Sequence, residues 1–330
     1  MIVLFPFKSS SSIRRCNQFG AEVYSLPGKM KYLLTDTSLM IRLAVSRRPD
    51  VIHAFTGAST ILGFVSLLLG RILKIPSVMS IFGREDVTYS SKMSTILFLL
   101  SAELSTTIAT NSEATRNLLP PKFHSKCKIL LGGANLTERT EVKESEDSKV
   151  ILFVGRLAKR KGVDDLLDSF AILERRVPSA HLVIVGDGPE REALRKKAKA
   201  LGLRNVEFKG ALFGEALNYE YARSAVCVLL SKSVGGDPAT EGLGLTLIEA
   251  SMHAKPLVGT RHGGIPEIIK DGVNGFLVPE GDWRSSSEAL TKLLLDTGLA
   301  SKMGQNAFQM ARERFSWNAA TDRLLESYRN

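Results

Sequence analysis

The sequence predicts an α/β protein made of two doubly wound domains, and three observations carry this prediction. The chain has 330 residues, more than one hydrophobic core usually supports. Short β-branched runs alternate with helical patterns along its length, which is typical of parallel sheets covered by helices. Residues 137–149 are polar, charged and without apolar periodicity, which indicates a linker. We therefore expect domains at 1–136 and 150–310 and a C-terminal helix at 311–330.

The first domain contains six strand candidates, at residues 1–7, 21–26, 50–55, 77–82, 106–110 and 128–132. Two apolar stretches, 61–76 and 94–109, fall short of the ~20 residues needed to span a bilayer and are interrupted by charge, so we predict buried helices there. The serine-rich segment 8–15 is predicted to be a turn that either binds phosphate or is disordered.

The second domain repeats the alternation more regularly. Its strand candidates are residues 150–155, 181–186, 206–210, 225–231, 255–260 and 274–279. Between them, segments such as 163–176 and 189–202 have apolar residues recurring at three and four, the period of an amphipathic helix. This order predicts a doubly wound sheet with ligands at the carboxyl ends of its strands.

The composition excludes several classes of protein. With 44% hydrophobic and 24% charged residues, the chain has the composition of an ordinary globular protein. Its three cysteines are far apart and its five histidines lack ligand spacing, which argues against a disulfide framework or a structural zinc. The first thirty residues lack the arrangement of a signal peptide. These features predict a cytoplasmic protein.

The net charge of +10 lies almost entirely in the first domain. Residues 1–131 hold 16 Lys and Arg against 7 Asp and Glu. Such a domain can attract anionic lipid or phosphorylated substrates, or it can simply have a solvated basic face. No module that interleaves aromatic and basic residues is present, so nucleic acid is not an expected partner.

The first predicted strand of the second domain ends in a basic turn. In FVGRLAKRKG (153–162), Arg156 follows the strand directly and Lys161 precedes a helix start at Gly162. An arginine fork and a lysine point charge at a strand-to-helix junction suit a diphosphate. The alternative is a solvated surface turn, which we expect for Lys159 and Arg160.

Two further strand ends carry glycine and charge. In VIVGDGPE (183–190), Gly186 and Gly188 on either side of Asp187 allow a tight turn beneath a nucleotide, or merely a change of chain direction. In EGLGLTLIEA (241–250), Glu241 precedes a glycine turn and Glu249 lies two helical turns later.

The glycine turn presents backbone amides at a helix start, which form an anion cradle; its members are Gly242, Leu243, Gly244 and Leu245. Glu241 can accept hydrogen bonds from sugar hydroxyls, and Glu249 can reach a ribose diol. The two carboxylates could instead be the acid and base of a glycosidase. That alternative is weaker because a hydrolase needs no diphosphate clamp.

Taken in order, these segments resemble the retaining, two-Rossmann-domain glycosyltransferases of family 4. The motifs are VGRLAKRKG, VGDGPE, VEFKG, EGLGLTLIEA, GGIPEII, DGVNGFLVP and FSW, which cover nearly all of residues 150–330. The resemblance implies two Rossmann-like domains that face a cleft, the glycosyltransferase B-type architecture, with the C-terminal helix crossing back onto the first domain.

The resemblance also assigns roles to the donor-side residues. Arg156 and Lys161 would hold the diphosphate, Glu241 the donor sugar and Glu249 the ribose, with the amides of 242–245 touching sugar and phosphate. Backbone groups would recognise the nucleotide near Gly155, Gly186, Asp187, Gly188, Phe208 and Gly210. The family uses no metal, and no Asp-x-Asp follows a strand here, so we expect neither metal nor cofactor. The family's front-face displacement needs no enzyme nucleophile.

The first domain resembles the family more thinly. RPDVIHAF (48–55) and PSVMSIFGREDV (76–87) look like the family's cleft-facing strands, and the acceptor-side candidates are His53, Gly83, Arg84, Glu85 and Asp86. Phe55 and Phe82 stand where many members have histidine, so His53 is equally well explained as a core histidine. No glycine-rich loop precedes the first strand, so we expect either a late start or a trimmed acceptor domain.

The resulting hypothesis is a retaining, metal-independent transferase that moves a sugar from a nucleotide-diphosphate sugar to a cell-surface polysaccharide or glycolipid precursor. Its basic first half suits a lipid-linked acceptor and a peripheral position on an anionic inner membrane face. An uncovered sheet edge in a trimmed domain could pair in a homo-oligomer. The alternatives are a sugar-nucleotide epimerase and a non-catalytic donor-binding subunit of a glycosyltransferase complex.

Overall fold

A computed structural model describes residues 2–6, 14–18, 21–26, 33–55, 61–83, 92–133, 149–235 and 241–328, with side chains from residue 37 onward. The chain divides into two compact units. The first comprises Met1–Ile81, Glu85–Ala109 and Lys122–Lys128. The second comprises Phe82–Arg84, Thr110–Pro121 and Ile129–Asn330.

The second unit is built on a six-stranded sheet whose neighbouring strands all pair in parallel. Its strands are β8 (Val150–Val154), β9 (His181–Val185), β10 (Val206–Gly210), β11 (Val226–Leu229), β12 (Leu257–Thr260) and β13 (Gly275–Val278). They lie in the order β10-β9-β8-β11-β12-β13. This is the doubly wound order in which the direction of winding reverses between the first and fourth strands, so the ligand crevice is expected between β8 and β11.

The helices of this unit include one in each segment that apolar periodicity predicted, 163–176 and 189–202. They are α4 (Glu113–Arg116), α5 (Val163–Arg176), α6 (Arg191–Ala200), α7 (Gly214–Arg223), α8 (Leu245–Met252), α9 (Ile265–Ile268), α10 (Trp283–Leu295), α11 (Thr297–Phe315) and α12 (Trp317–Tyr328). Helix α5 spans the 163–176 segment predicted from its sequence. It buries Leu166, Leu167 and Phe170 against the sheet and ends just before Pro178, which cannot continue a helix.

One hydrophobic core holds this unit together. The four buried strands β8, β9, β11 and β12 carry continuous apolar runs, as expected for strands covered on both faces. Phe153 and Phe170 are fully buried in this core, and Phe315 joins it from α11. The core places the loops that follow each strand along one edge of the sheet.

The first unit contains two smaller sheets. The strands are β1 (Ile2–Pro6), β2 (Arg14–Gln18), β3 (Ala21–Leu26), β4 (Ile52–Phe55), β5 (Ser77–Ile81), β6 (Thr107–Thr110) and β7 (Cys127–Ile129). Three lie in the order β1-β3-β2 and four in the order β4-β5-β6-β7. The six strands predicted for this domain are present, and β2 is additional.

Strand β2 corrects the prediction of a turn at residues 8–15. Residues 14 and 15 belong to β2, which pairs antiparallel with β3. Only two residues separate β2 from β3, too few for the crossover that a parallel pair requires. The polar sequence RRCNQ gave no apolar alternation from which the strand could be predicted. The rest of that segment, 8–13, lies outside the described residues.

Helices α1 (Leu33–Arg47), α2 (Ile61–Leu73) and α3 (Lys92–Leu104) complete this unit. The prediction of helices in the stretches 61–76 and 94–109 is confirmed, although α3 ends at Leu104 and β6 follows. Helix α3 is not wholly buried, because Met93, Ile96 and Leu100 are exposed. No helix in the described part of the chain is long and apolar enough to cross a membrane.

The α/β class predicted from the sequence is confirmed. The linker predicted at 137–149 falls outside the described residues, except for Lys149 at its end.

Candidate donor site at the carboxyl edge of the sheet

A short ion pair lies at the carboxyl edge of the second unit's sheet. Lys161 follows β8 and Glu241 follows β11, the two strands between which the winding reverses. The Lys161 Nζ and the Glu241 Oε2 are 2.5 Å apart, and their side chains are only 14% and 8% exposed. The charged pair therefore lies at the position where this fold binds its ligands.

The backbone around Lys161 is tightly constrained. Residues Lys159–Lys161 form a 3-10 turn that ends at Gly162, whose φ of 65° is in the left-handed region. A Cβ atom at Gly162 would lie 1.8 Å from the Leu230 carbonyl oxygen, so only glycine fits between the two loops. Because Gly162 also precedes α5, the turn holds Lys161 at the helix start.

Lys232 ties the loops after β8 and β11 together. Its Nζ lies 2.8 Å from a carboxylate oxygen of both Asp164 and Asp165, and its backbone amide donates to the Arg160 carbonyl. Burial works against the Lys232 charge, but the hydrogen bonds that Lys232 donates to the two carboxylates outweigh it and raise the pKa of Lys232. Lys232 therefore stays charged and serves the scaffold. It was not among the residues predicted from the sequence.

Arg156 has the opposite environment. It is exposed at the carboxyl end of β8 and forms no ion pair with any described residue. A free guanidinium here can bind an anion through two parallel hydrogen bonds. Arg156 and Lys161 thus lie on the same loop. Lys161 is already paired with the Glu241 carboxylate, and Arg156 is available to bind an anion.

A buried hydroxyl holds the Glu241 carboxylate in place. The Ser231 Oγ donates to Glu241 Oε2 across 2.8 Å, and Ser231 has no exposed surface. Thr260, at the end of β12, donates to the Ser231 carbonyl across 2.5 Å. Lys161 and Ser231 therefore approach the same carboxylate oxygen. Ser231 was missed in the sequence, although a polar residue at the end of a predicted apolar strand is a usable signal.

The sequence predicts an anion cradle at residues 242–245, and the structure places these residues at the start of α8. Gly244, with φ of 93°, precedes the helix, and Leu245 begins it. The backbone amides of Gly242, Leu243, Gly244 and Leu245 donate to no backbone carbonyl among the described residues. Such amides at the positive end of a helix dipole can bind an anion.

Glycine at 242 has a packing reason of its own. A Cβ atom there would lie 2.5 Å from the Phe82 carbonyl oxygen, which accepts a hydrogen bond from the Asn111 side chain. Gly264, which is distant in sequence, donates its backbone amide to the Glu241 carbonyl. These contacts hold the loop that carries Glu241 against its neighbours.

Glu249 lies on α8, one turn beyond the cradle. Its Oε2 accepts a hydrogen bond from the hydroxyl of Tyr221 on α7 at 2.7 Å. Burial, followed by the charge and hydrogen bond of Glu249, raises the pKa of Tyr221 well above its ordinary value, so the phenol stays protonated. Nothing in the sequence pointed to Tyr221, which occupies a core position of an amphipathic helix.

The Gly-Asp-Gly turn after β9 packs against the loop after β8. A Cβ atom at Gly186 would lie 1.9 Å from the Gly155 carbonyl oxygen, and one at Gly188 would lie 2.4 Å from the Leu157 carbonyl oxygen. Asp187 forms an exposed ion pair with Arg191. Close approach of the two backbones therefore explains why both positions are glycine. The turn also lies at the carboxyl edge of the sheet, beside the loop that carries Arg156 and Lys161.

The end of β10 completes the edge. Gly210 accepts a hydrogen bond from the Gly186 amide at 2.7 Å and has a φ of 74°. Phe208 is half-buried beneath the Arg195 guanidinium, whose centre lies 5.6 Å from the ring centroid. Both residues therefore lie beside the turn at Gly186, as the parallel register requires.

The candidates in the segments assigned to the acceptor side are only partly described. In the first unit, His53 Nε2 lies 2.7 Å from Ser80 Oγ, and its ring stacks on Phe55 at a centroid distance of 4.0 Å. Burial lowers the His53 pKa to about 4, so the ring is neutral at pH 7. In the second unit, Gly83 borders open space. Arg84, Glu85 and Asp86 lie outside the described residues.

Two further observations concern other parts of the molecule. A cavity of about 210 Å³ lies at the opposite, amino edge of the sheet, lined among others by Leu182, Arg204 and Arg223. Across the described residues, no three His, Cys, Asp or Glu side chains are grouped so that they could hold a metal ion.

The sequence that forms this edge resembles that of known proteins. The sequence profile of the glycosyl transferases group 1 matches residues 135–310, just over half of the chain. The chain belongs to this family. The resemblance to family 4 is compatible with this match. The matched residues of this glycosyltransferase include all six strands of the sheet whose carboxyl edge carries Lys161 and Glu241.

Two curated relatives show how far the likeness extends. The chain is 29% identical over 305 residues to the alpha-D-kanosaminyltransferase of Streptomyces kanamyceticus, covering 84% of this chain and 76% of the relative. It is 35% identical over 181 residues to a GDP-mannose-dependent alpha-(1-6)-phosphatidylinositol monomannoside mannosyltransferase of Mycolicibacterium smegmatis. That second match covers 54% of this chain and 47% of the relative, so the chain spans about half of that enzyme's length.

The fold is shared with a solved structure. The structure of Anabaena HepE in complex with UDP matches with a TM-score of 0.75 at 20% identity, covering 93% of this chain and 85% of that one. HepE has also been solved with UDP-glucose. This likeness confirms two Rossmann-like domains for the glycosyltransferase.

Proposed function

We propose that this glycosyltransferase moves a sugar from a nucleotide-diphosphate sugar to a cell-surface polysaccharide or glycolipid precursor, with retention of configuration and without a metal ion. One observation carries the proposal. The Lys161–Glu241 ion pair spans the point where the winding of the sheet reverses, beside the free Arg156 guanidinium and the amides of residues 242–245. Such a cluster suits a ligand that is anionic at one end and rich in hydroxyls at the other.

The cationic groups serve the diphosphate in this proposal. Arg156 is exposed and can close on two phosphate oxygens, while Lys161 supplies a point charge from a nearly buried position. The amides of residues 242–245 add neutral donors with the positive end of the α8 dipole. Together they neutralise the charge that develops on the leaving diphosphate, the task that a metal ion performs in other transferases.

The two carboxylates serve the neutral hydroxyls. Lys161 and Ser231 both contact Glu241 Oε2, which fixes the direction of the carboxylate that accepts hydrogen bonds from the donor sugar. Glu249 receives the ribose diol on α8. Carboxylates accept hydrogen bonds from hydroxyls without needing to transfer a proton, so neither residue has to be a nucleophile.

The reaction proceeds by front-face displacement. The acceptor hydroxyl oxygen forms a bond to the anomeric carbon on the side from which the diphosphate departs, and the bond between that carbon and the phosphate oxygen breaks. The hydroxyl proton passes to the departing diphosphate oxygen. Catalysis then rests on positioning and on the charges of Arg156 and Lys161.

The names of similar proteins support the donor class. One relative is described as GDP-mannose-dependent, and HepE binds UDP and UDP-glucose. GDP-mannose and UDP-glucose are nucleotide-diphosphate sugars that differ in base and sugar, and UDP is the product that remains when the sugar is transferred. We therefore propose the shared diphosphate sugar as the donor class and leave its base to experiment.

The first unit supports a lipid-linked acceptor and a peripheral position on the cytoplasmic face of an anionic membrane. Most of the net charge of +10 lies in residues 1–131. Helix α3 adds an exposed apolar stripe at Met93, Ile96 and Leu100, with Lys92 at its start. Basic residues beside exposed apolar side chains favour binding to anionic bilayers.

The first experiment identifies the donor. Purified protein is screened by thermal unfolding against UDP-, GDP- and ADP-sugars, because a ligand at about 100 times its Kd adds roughly 2.7 kcal/mol to the free energy of unfolding. The stabilising donor is then supplied with lipid-linked and glycan acceptors, and the nucleoside diphosphate and the glycosylated product are quantified together. The anomeric configuration of the product tests retention.

The same experiment separates the alternatives. Nucleoside diphosphate released in proportion to glycosylated acceptor supports the proposal. Conversion of the donor to an epimer without an acceptor would indicate a sugar-nucleotide epimerase. Donor binding without turnover on any acceptor would indicate a non-catalytic donor-binding subunit. If no nucleotide sugar stabilises the protein, the donor assignment is wrong.

A further inference from the structure

The hydrogen bond between Tyr221 and Glu249 joins two helices that are 28 residues apart in sequence. The Tyr221 hydroxyl and Glu249 Oε2 are 2.7 Å apart. An ionised carboxylate can only accept a hydrogen bond, so the phenol is the donor. Tyr221 therefore contacts Glu249 directly.

Tyr221 itself is held firmly. Its side chain is only 2% exposed, and it is among the largest fully buried side chains of the molecule. The ring stacks on that of His253 with a centroid distance of 5.3 Å and an interplanar angle of 19°. His253 directly follows α8, the helix that carries Glu249. Tyr221 therefore contacts the C-terminal end of α8 twice, through its hydroxyl at Glu249 and through its ring at His253.

Glu249 is different, because it is only half-buried. A glutamate in that position can adopt several rotamers, and ordering it during ligand binding costs conformational entropy. A hydrogen bond from a rigid donor selects one rotamer before the ligand arrives. That preorganisation removes part of the cost from binding.

We propose that Tyr221 is a positioning residue that orients the Glu249 carboxylate for the ribose of the donor. The proposal rests on the function proposed above, in which Glu249 binds the ribose. Tyr221 acts only through Glu249 and contacts no reacting atom. Its removal should therefore weaken binding of the nucleotide and leave the chemical step largely unchanged.

The decisive variant is Tyr221→Phe, which keeps the ring and its stack on His253 and removes only the hydroxyl. We expect nucleoside diphosphate to bind about 3- to 10-fold more weakly by calorimetry, the order of one modest hydrogen-bond effect. The KM for the donor should rise by a similar factor while kcat changes less than about twofold. Tyr219→Phe is the matched control, since Tyr219 lies on the same helix but is half exposed, and it should change neither quantity.

A double-mutant cycle tests whether Tyr221 works through Glu249. If it does, Tyr221→Phe combined with Glu249→Gln should bind nucleotide no more weakly than Glu249→Gln alone. Additive losses would overturn the proposal, because they would show that Tyr221 acts by another route. A variant Tyr221→Phe that unfolds, or that lowers kcat as much as it weakens binding, would also overturn it.

The outcomes distinguish this inference from the proposed function. If Glu249→Gln leaves nucleotide binding unchanged, the ribose role of Glu249 fails and the inference falls with it. If Glu249→Gln weakens binding and Tyr221→Phe does not, only the positioning role of Tyr221 is wrong.

Discussion

Lys161 and Glu241 are 80 residues apart in sequence, yet their side chains form an ion pair of 2.5 Å at the carboxyl edge of one sheet. Each residue follows one of the two strands between which the winding reverses, so the fold itself brings them together. Both are nearly buried, which means that neither can lose its partner without cost. In the proposed function, the diphosphate would share Lys161 with Glu241.

The first prediction contrasts the two cations of the loop after β8. Lys161→Ala should slow transfer by roughly 30- to 1000-fold. It should also lower the free energy of unfolding by about 3–5 kcal/mol, because it leaves the buried Glu241 carboxylate without its cation. Arg156→Ala should slow transfer by a similar factor with little change in stability, because Arg156 is exposed. Initial rates and urea unfolding measure the two effects.

Lys159→Ala is the control for both variants, since Lys159 is exposed on the same loop and is expected to be solvated surface. It should change neither rate nor stability appreciably. Unchanged turnover in both Lys161→Ala and Arg156→Ala would remove the diphosphate clamp from the proposal.

The second prediction concerns Ser231, whose hydroxyl donates to Glu241 Oε2. Ser231→Ala should lower kcat by about 3- to 20-fold while the KM for the donor changes little, because the carboxylate that is proposed to bind the sugar loses one of the two contacts that direct it. Ser251→Ala is a matched control, since among the described residues that buried hydroxyl donates only to the Leu247 carbonyl within α8. Equal effects of both substitutions on kcat would indicate general loosening rather than a role at Glu241.

The third prediction is that transfer needs no divalent cation. In the proposed function, Arg156 and Lys161 supply the positive charge at the leaving diphosphate, so dialysis against EDTA should leave the initial rate within about twofold. A chelator whose effect is reversed by added manganese or magnesium would contradict this prediction. The control is the rate in the dialysis buffer alone.

The fourth prediction follows from His253, which lies after α8 and is 7% exposed. Burial, and then the nearby Lys255 charge, lower its pKa to about 4, below the ordinary 6.5. The unfolded chain therefore binds the proton more readily than the folded one between these values, and stability is lost as pH falls from about 6.5 to 4. The contribution of His253 is on the order of 1–3 kcal/mol.

His253→Gln removes this titration, so the variant should lose less stability than the native protein between pH 7 and pH 4.5. Chemical unfolding at both pH values measures the loss of unfolding free energy in each protein. The difference between the two losses cancels the contribution of the carboxylates that both proteins share. An identical loss in the variant would show that His253 is not the titrating group.

The fifth prediction tests the exposed stripe on α3. Replacing Met93, Ile96 and Leu100 together by Ser should weaken co-sedimentation with vesicles of anionic and zwitterionic lipid by about tenfold, because the proposed function has these three exposed apolar side chains contact the bilayer. Raised salt should weaken native binding as well, since basic residues contribute.

A matched control carries Ser at three exposed apolar positions of the second unit, Leu201, Leu295 and Leu325. It should bind vesicles like the native protein. Equal binding by all three proteins would exclude α3 as the membrane-binding surface.

The sequence alone determined most of the second unit. Helix α5 at Val163–Arg176 and the positions of all six strands followed from apolar period, flanking glycine and proline, because these local signals survive in the folded chain. Strand β2 could not be predicted, since RRCNQ has no apolar face and its pairing with β3 depends on a two-residue connection. Arg156 and Lys161 became candidates because a charged residue at a strand end or before a helix start is a local pattern. Glu241 and Glu249 became candidates through their spacing around a glycine turn, which is also local.

Only the tertiary structure decided which of these groups meet. The strand order places β8 beside β11, and this adjacency joins Lys161 to Glu241 and brings Ser231 to the same carboxylate oxygen. Helix packing likewise decides that Tyr221, an ordinary core position in its own segment, reaches Glu249. Sequence periodicity records which face of each element is buried, whereas contacts between distant elements depend on the order and register of the strands, which no local pattern contains.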